Sequence, residues 1–200
     1  MKIIGLTGGM GCGKSTVSDY LRKKGLPVVD ADGISRELTA PGSPLLPEVR
    51  VLLGEKAFRG DGTLHRQAVA DMIFRDPELL KAYEGLITKA TAARCLDELQ
   101  RLREEGVWRL AVLDAPLLFE CGMDRYTDED WLVESDLETR FLRISARDGI
   151  SREAIEDRMR RQMPEEEKAA RADVRIDNSG SLEELYRQID SLLERICYEG

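Results

Sequence analysis

A glycine-rich loop is the strongest chemical pattern in the sequence. Gly8, Gly13, Lys14 and Ser15 match the spacing Gly-x-x-x-x-Gly-Lys-Ser, with an apolar segment before the loop and a helix-like segment after it. Backbone N–H groups in such a loop surround phosphates, and the N-terminus of the next helix adds a favourable dipole. Lysine supplies a cation to the outer phosphates and serine a hydroxyl to Mg²⁺. The loop residues predicted to bind ATP are Gly8, Gly9, Gly11, Cys12, Gly13, Lys14, Ser15 and Thr16.

Two acids end the second apolar segment, Asp30 and Asp32. Ligands of open α/β sheets bind outside the carboxyl ends of the strands, so a carboxylate there can face the γ-phosphate. A kinase that phosphorylates an alcohol needs a group that orients the hydroxyl and accepts its proton. Asp32, just past the strand, is the candidate base, and a structural role suits Asp30 better. The alternative is that both acids cap the helix that follows.

Asp114 ends another apolar segment, Leu110 to Leu113. A carboxylate at this place can help to hold Mg²⁺ through water. Strands also end in aspartate for turn or capping reasons, so both interpretations stay open here.

Arginines crowd into residues 137–172, where Arg140, Arg143 and Arg147 share one helix face. Such a segment can close over ATP as a lid, bring cations to the developing charge and exclude water. The alternative is a solvated helix pair with salt bridges between successive turns. We select Arg143 and Arg147 as ATP contacts.

The elements that must position these residues alternate along the chain. Strands are predicted at residues 1–7, 26–30, 107–113, 131–134 and 174–176. Helices separate them, which indicates parallel strands with right-handed crossovers. One face of a long helix is marked by Leu79, Leu80, Tyr83, Leu86, Ile87, Ala90, Ala93 and Leu96.

We predict an α/β fold of the P-loop NTPase type: a three-layer α/β/α sandwich around a five-stranded parallel sheet. The nucleotide-binding core comprises residues 1–32, 107–136 and 173–200. Residues 33–106 form a helical substrate-binding insertion, and residues 137–172 form the helical lid.

The composition of the 200 residues excludes several classes of function. Thirty Lys and Arg against 38 Asp and Glu give a net charge of −8, which argues against nucleic-acid and anionic-membrane partners. A single histidine excludes a multi-histidine metal site. Four scattered cysteines without a Cys-x-x-Cys pair favour reduced thiols and a cytoplasmic location. We expect a monomer or a weak homo-oligomer.

Four segments together resemble the dephospho-CoA kinase family. They are Leu6–Thr16 (LTGGMGCGKST), Val29–Asp32 (VDAD), Pro116–Glu120 (PLLFE) and Ala172–Gly180 (ADVRIDNSG). The first is shared by many NTPases, whereas the four in this order are specific, and the resemblance runs from residue 2 to about residue 195.

The resemblance implies transfer of the ATP γ-phosphate to the 3′-hydroxyl of the ribose of dephospho-CoA, with Mg²⁺ as cofactor. It also implies a core, a substrate insertion and a two-helix lid. By the same resemblance Asp32 is the catalytic base, Arg143 and Arg147 are the lid arginines, and Asn178 lies near the adenine. Substrate contacts are implied at Asp32, Arg36, Arg66 and Leu117.

The chain departs from the family pattern at Thr88-Lys89, where many members have His-Pro, and at Cys12, where serine is common. The first change removes any substrate contact made through that pair, whereas the loop backbone tolerates the second. The runner-up function is another P-loop kinase, acting on a nucleoside monophosphate or a small alcohol. A GTPase is disfavoured because the only asparagine, Asn178, lies outside any Asn-Lys-x-Asp motif.

Overall fold

The computed structural model describes the backbone of residues 1–198 and the side chains of residues 1–196. A five-stranded sheet has the order β2-β3-β1-β4-β5. The strands are β1 Lys2–Gly8, β2 Val28–Asp30, β3 Leu110–Asp114, β4 Glu129–Glu134 and β5 Val174–Asp177. β1 pairs in parallel with β3 and with β4, and β4 pairs in parallel with β5. The predicted parallel α/β fold is confirmed.

α-Helices follow four of the five strands, whereas only a 3₁₀ turn, Asp124–Tyr126, lies between β3 and β4. The α-helices are α1 Lys14–Lys23, α2 Ala31–Leu38, α3 Leu46–Leu53, α4 Arg66–Ile73, α5 Pro77–Glu105, α6 Leu137–Asp148, α7 Arg152–Met159, α8 Glu165–Arg171 and α9 Leu182–Tyr198. β1 leads directly through the glycine-rich loop into α1, as the spacing of the motif predicted.

The central strands are buried on both faces, which explains their nearly continuous apolar sequence. On one face, Ile4 and Leu6 of β1 pack with Val17 of α1 and Leu185 of α9 in a single core. Each such side chain, fully removed from water, contributes roughly 1.5–3 kcal/mol to folding. This packing holds the start of α1 against the end of β1, and the glycine-rich loop lies between them.

Two compact units divide the chain: Met1–Val29 together with the chain from Leu102 onward, and Asp30–Arg101. The first contains the sheet. The second is helical apart from a short 3₁₀ turn and one antiparallel bridge between Phe58 and Leu64. It has its own core, which includes Leu45, Val49, Leu53, Ala57, Leu64 and Val69. The assignment of residues 33–106 to substrate and 137–172 to a lid remains a proposal.

Several boundaries differ from the sequence expectation: β2 begins two residues later than predicted and β4 two residues earlier. The third strand begins at Leu110 rather than at Val107, because Lys2, the first residue of β1, pairs with Leu110, and before it only the carbonyl of Arg109 accepts from the N–H of Lys2, at 2.9 Å. The segment 137–172 contains three helices, α6 to α8, instead of two.

The apolar face predicted for α5 holds only for its first half. Leu79, Tyr83 and Ala90 pack on the helical core of the second unit, whereas Ala93 is exposed. The buried positions continue instead at Thr91, Cys95 and Leu99.

Candidate functional site

The loop between β1 and α1 ends in a residue that only glycine fits well. Gly13 has φ = 87° and is the N-cap of α1, with no side-chain hydrogen bond to the first turn. A Cβ on Gly13 would collide with the amide nitrogen of Asn178. Because no side chain caps the first turn of α1, a ligand anion can bind at this helix N-terminus, which is the usual arrangement of such a site. The N–H of Thr16 donates to the carbonyl of Gly13 at 2.9 Å.

Asn178 and Arg143 hold the loop through its backbone. The Nδ2 of Asn178 donates to the carbonyl of Cys12 over 2.8 Å, and Asn178 is buried. Arg143 donates from Nη1 to the same carbonyl at 3.3 Å and from Nη2 to the carbonyl of Asn178 at 3.0 Å. The structure thus places two residues predicted from the sequence against the loop backbone: Asn178, which follows β5, and Arg143 of α6.

Cys12 is almost fully buried inside the loop. Burial raises the pKa of its thiol, and the cations Arg140 and Lys14 offset this only in part. The thiol is therefore a small neutral filler of the loop.

A second polar cluster joins the loop to the end of β3. The ammonium of Lys14 forms an ion pair with the carboxylate of Asp114, and the hydroxyl of Ser18 donates to the other oxygen of that carboxylate. Asp114 is buried, so both partners compensate its lost hydration. Sequence analysis missed Ser18, although its place one helical turn after Lys14 was the available signal.

The donors near the loop fit a magnesium ion that arrives with nucleotide phosphates. Mg²⁺ keeps several waters and takes one or two protein groups beside the phosphates. Ser15 presents an exposed hydroxyl in the first turn of α1, next in sequence to Lys14, the partner of Asp114. Among the residues that the structure describes, no cluster of three or more His, Cys, Asp or Glu could hold a metal alone.

The segment after β3 is hydrogen-bonded to the end of β1 and to α8. The hydroxyl of Thr7 donates to the carbonyl of Pro116 over 3.2 Å. Lys168, buried to 1% exposure, donates to the same carbonyl at 3.0 Å and pairs with Glu120 at 2.8 Å. These bonds leave Leu117, a predicted substrate contact, 41% exposed on the turn.

The arginine face of α6 is only partly directed to the loop. Arg140 donates from Nε to the carbonyl of Met10 over 2.9 Å, a contact that sequence analysis missed. Arg147 instead pairs with Asp148 at 2.7 Å, and its side chain is 65% exposed. In this conformation the neighbouring carboxylate of Asp148 holds the guanidinium of Arg147, and the ATP contact of Arg147 stays a prediction.

Four further candidates belong to the unit Asp30–Arg101. Asp30 caps α2, accepting from the N–H of Gly33 at 3.0 Å, which confirms its structural role. Arg36 lies 3.8 Å from that carboxylate. Asp32 is exposed in the first turn of α2, and Arg66 is exposed at the start of α4.

Comparison with known proteins decides the family. The sequence profile of dephospho-CoA kinase matches residues 2–184. The chain belongs to the dephospho-CoA kinase family. A dephospho-CoA kinase of Symbiobacterium thermophilum is 43% identical over 197 residues, which cover 98% of this chain and 82% of that protein.

Solved structures share the fold of this chain. A Thermus thermophilus protein is 40% identical and superposes with a TM-score of 0.81 over 97% of both chains. A dephospho-CoA kinase from Campylobacter jejuni, at 24% identity, shares the fold with a TM-score of 0.73 over 98% of both chains. As a member of this family, the chain is a kinase that transfers phosphate from ATP.

Hydropathy along the helices adds one fact about this member of the family. Within the described residues, every helix is too short or too polar to cross a lipid bilayer.

Proposed function

We propose that the chain transfers the γ-phosphate of ATP to the 3′-hydroxyl of the ribose of dephospho-CoA, which gives coenzyme A and ADP. The observation that carries this proposal is the phosphate-binding loop, with Lys14 paired to Asp114, in a chain that matches the dephospho-CoA kinase family over residues 2–184. Kinases of this type need little covalent chemistry from the protein, so catalysis comes from positioning and electrostatics.

The loop binds the ATP phosphates. Backbone N–H groups of the loop and of the first turn of α1 donate to the β- and γ-phosphates, and the ammonium of Lys14 leaves Asp114 to neutralise their charge. The N–H groups of Met10, Cys12 and Thr16 are bonded within the protein instead. Asn178 and Arg143 keep the loop in the binding conformation through the carbonyl of Cys12.

Ser15 and Asp114 would hold Mg²⁺, the serine directly and the aspartate through water. When bound there, Mg²⁺ would supply positive charge to the transferring phosphoryl group. The exposed hydroxyl of Ser15 and the buried carboxylate of Asp114 support this role.

Asp32 prepares the acceptor. Its carboxylate orients the ribose 3′-hydroxyl and accepts its proton, while the hydroxyl oxygen bonds to the γ-phosphorus and the bond from that phosphorus to the β,γ-bridging oxygen breaks. Arg36, Arg66 and Leu117 contact the acceptor, two of them with cations suited to its phosphates. The exposed side chain of Asp32 is open to a ligand-borne hydroxyl.

The lid removes water from the reaction. Arg143 already contacts the loop, and Arg147 leaves Asp148 to reach the phosphates when nucleotide binds. Excluding water strengthens these charge interactions and keeps hydrolysis from competing with the acceptor.

A panel of acceptors tests this function. Release of ADP is measured with dephospho-CoA, shikimate, gluconate and nucleoside monophosphates at equal concentration. We expect dephospho-CoA to give the highest kcat/KM by at least about 10³-fold, because remote parts of the true substrate contribute binding energy to the transition state. Comparable rates with another alcohol or monophosphate would support the runner-up kinase instead. Magnesium dependence, a cytoplasmic location and a monomeric or weakly oligomeric state remain predictions.

A further inference from the structure

Arg140 is a buried cation that lies against the phosphate-binding loop. The residue is 6% exposed, and its Nε donates to the carbonyl of Met10 over 2.9 Å. A Cβ on Gly9 would lie 2.6 Å from Nη2 of Arg140, so the guanidinium occupies the space next to the Gly9 backbone. A buried charge of this kind persists only where partners replace its water.

Two residues beyond α7 complete the contact. Glu165, at the start of α8, forms an ion pair with Nη1 of Arg140. Gln162 accepts a hydrogen bond from the N–H of Met10 at 3.1 Å through Oε1. Both backbone polar groups of Met10 are thus bonded to side chains of the segment 137–172.

This double attachment restricts the loop. Rotating either peptide bond plane at Met10 breaks one of these hydrogen bonds. Loss of the carbonyl bond leaves Nε of the buried Arg140 without this acceptor. A loop that is already ordered loses little conformational entropy when the ligand binds. The ligand therefore binds more tightly than it would to a flexible loop.

We propose that Arg140, oriented by Glu165, is a positioning residue that acts with Gln162 to fix the Met10 backbone and to preorganise the loop for nucleotide phosphates. It touches neither reacting group. The inference depends on the proposed function only in assigning a nucleotide to this loop, and it holds for any acceptor.

Calorimetric binding of Mg-ADP to the full chain tests the proposal, together with steady-state kinetics. We expect Arg140→Met to weaken ADP binding roughly 10-fold, the loss of one hydrogen bond from a charged donor. The KM for ATP rises in parallel, whereas the KM for dephospho-CoA changes less than about 2-fold. Glu165→Gln weakens ADP binding to a smaller extent.

The double variant Arg140→Met/Glu165→Gln separates positioning from general stabilisation. Because Glu165 acts through Arg140, the double variant binds ADP no more weakly than Arg140→Met alone. Arg160→Met is the matched control, since Arg160 is an exposed arginine paired with Asp157 on the same segment, and its ADP affinity stays at the wild-type value.

Two results would overturn the proposal: ADP affinity within 2-fold of wild type in folded Arg140→Met, or additive losses in the double variant. If Arg140→Met does not fold, Glu165→Gln and Gln162→Leu carry the test. Each of these two variants must then weaken ADP binding while its circular dichroism spectrum stays that of the wild type. Wild-type ADP affinity in either variant would refute the positioning role of Arg140. These results can be distinguished from failure of the proposed function. If that function is wrong, the wild type still binds ADP but does not turn over dephospho-CoA.

Discussion

Lys14 and Asp114 lie 100 positions apart in sequence and form an ion pair that joins the phosphate-binding loop to the end of β3. Ser18 donates to the second carboxylate oxygen. Without nucleotide, the charge of Lys14 is therefore compensated inside the protein. Under the proposed function, nucleotide phosphates replace Asp114 as the partner of Lys14, and Asp114 would then support a hydrated magnesium ion.

Asp114→Asn tests this exchange. We expect ADP to bind several-fold more tightly than to wild type in EDTA, because Lys14 no longer has an anionic partner to leave. The additional affinity gained with Mg²⁺ should fall by roughly 10-fold, since the charge that supports the hydrated ion is lost. Titration calorimetry with and without Mg²⁺ measures the ADP affinity in EDTA and the affinity gained with Mg²⁺. An unchanged gain from Mg²⁺ would restrict Asp114 to a partner of Lys14.

Asp32→Asn addresses the proposed base. The amide cannot accept the acceptor proton, so we expect kcat to fall about 10²-fold or more while ATP affinity stays close to wild type. Steady-state kinetics and ADP calorimetry separate these quantities.

Asp30→Ala is the matched control for Asp32→Asn. Asp30 caps α2, and its loss should cost about 1 kcal/mol of stability, seen as a lower urea midpoint, with kcat largely retained. A near-normal kcat for Asp32→Asn, or an equal loss of kcat in both variants, would remove Asp32 as the base.

Arg143 and Arg147 should behave differently although they share a helix face. Arg143→Met removes donors to the carbonyls of Cys12 and Asn178, so we expect about 1–2 kcal/mol of lost stability and weaker ADP binding. Arg147→Met removes only an exposed pair with Asp148 and should leave the urea midpoint nearly unchanged.

Kinetics complete the comparison of these two arginines. If Arg147 reaches the phosphates during turnover, Arg147→Met lowers kcat by roughly 10-fold, because a cation near the transferring group is lost from the transition state. Wild-type kcat in Arg147→Met would show that this arginine stays at the surface throughout the reaction.

Asp130 gives the stability of the protein a defined pH dependence. Burial, followed by the nearby carboxylates of Asp124 and Asp173, raises its pKa to about 6, while a hydrogen bond from Thr127 and the charge of Arg171 act in the opposite direction. The folded state therefore binds a proton more tightly than the unfolded chain. This contribution to stability is complete below about pH 4, where the unfolded group titrates, and is lost as the pH rises through about 6.

Asp130→Asn should abolish this dependence. Its amide oxygen can still accept the hydrogen bond from Thr127, which spans 2.7 Å in the wild type. We expect the variant to match wild type near pH 4 and to exceed it by about 1–2 kcal/mol at pH 8. Urea unfolding across this pH range measures the difference, and parallel curves at all pH values would contradict the raised pKa.

Much of the site could be predicted from the sequence because its parts are local. The loop from Gly8 to Ser15 is defined by the spacing of glycines, lysine and serine between a strand and a helix, and these requirements lie within about ten neighbouring residues. The strand ends at Asp30 and Asp114 were visible for the same reason, since apolar runs that end in acid mark the carboxyl edge of a parallel sheet.

The tertiary structure alone decided which side chains meet at that edge. Arg140, Arg143 and Arg147 share one helix face, yet the first two reach the loop and the third pairs with Asp148. Helical periodicity gives a direction for each side chain, but which partner it meets depends on how α6 packs against the loop. The bond between Gln162 and Met10, across 152 positions, has no local signal at all, because such contacts form only when separate segments pack together.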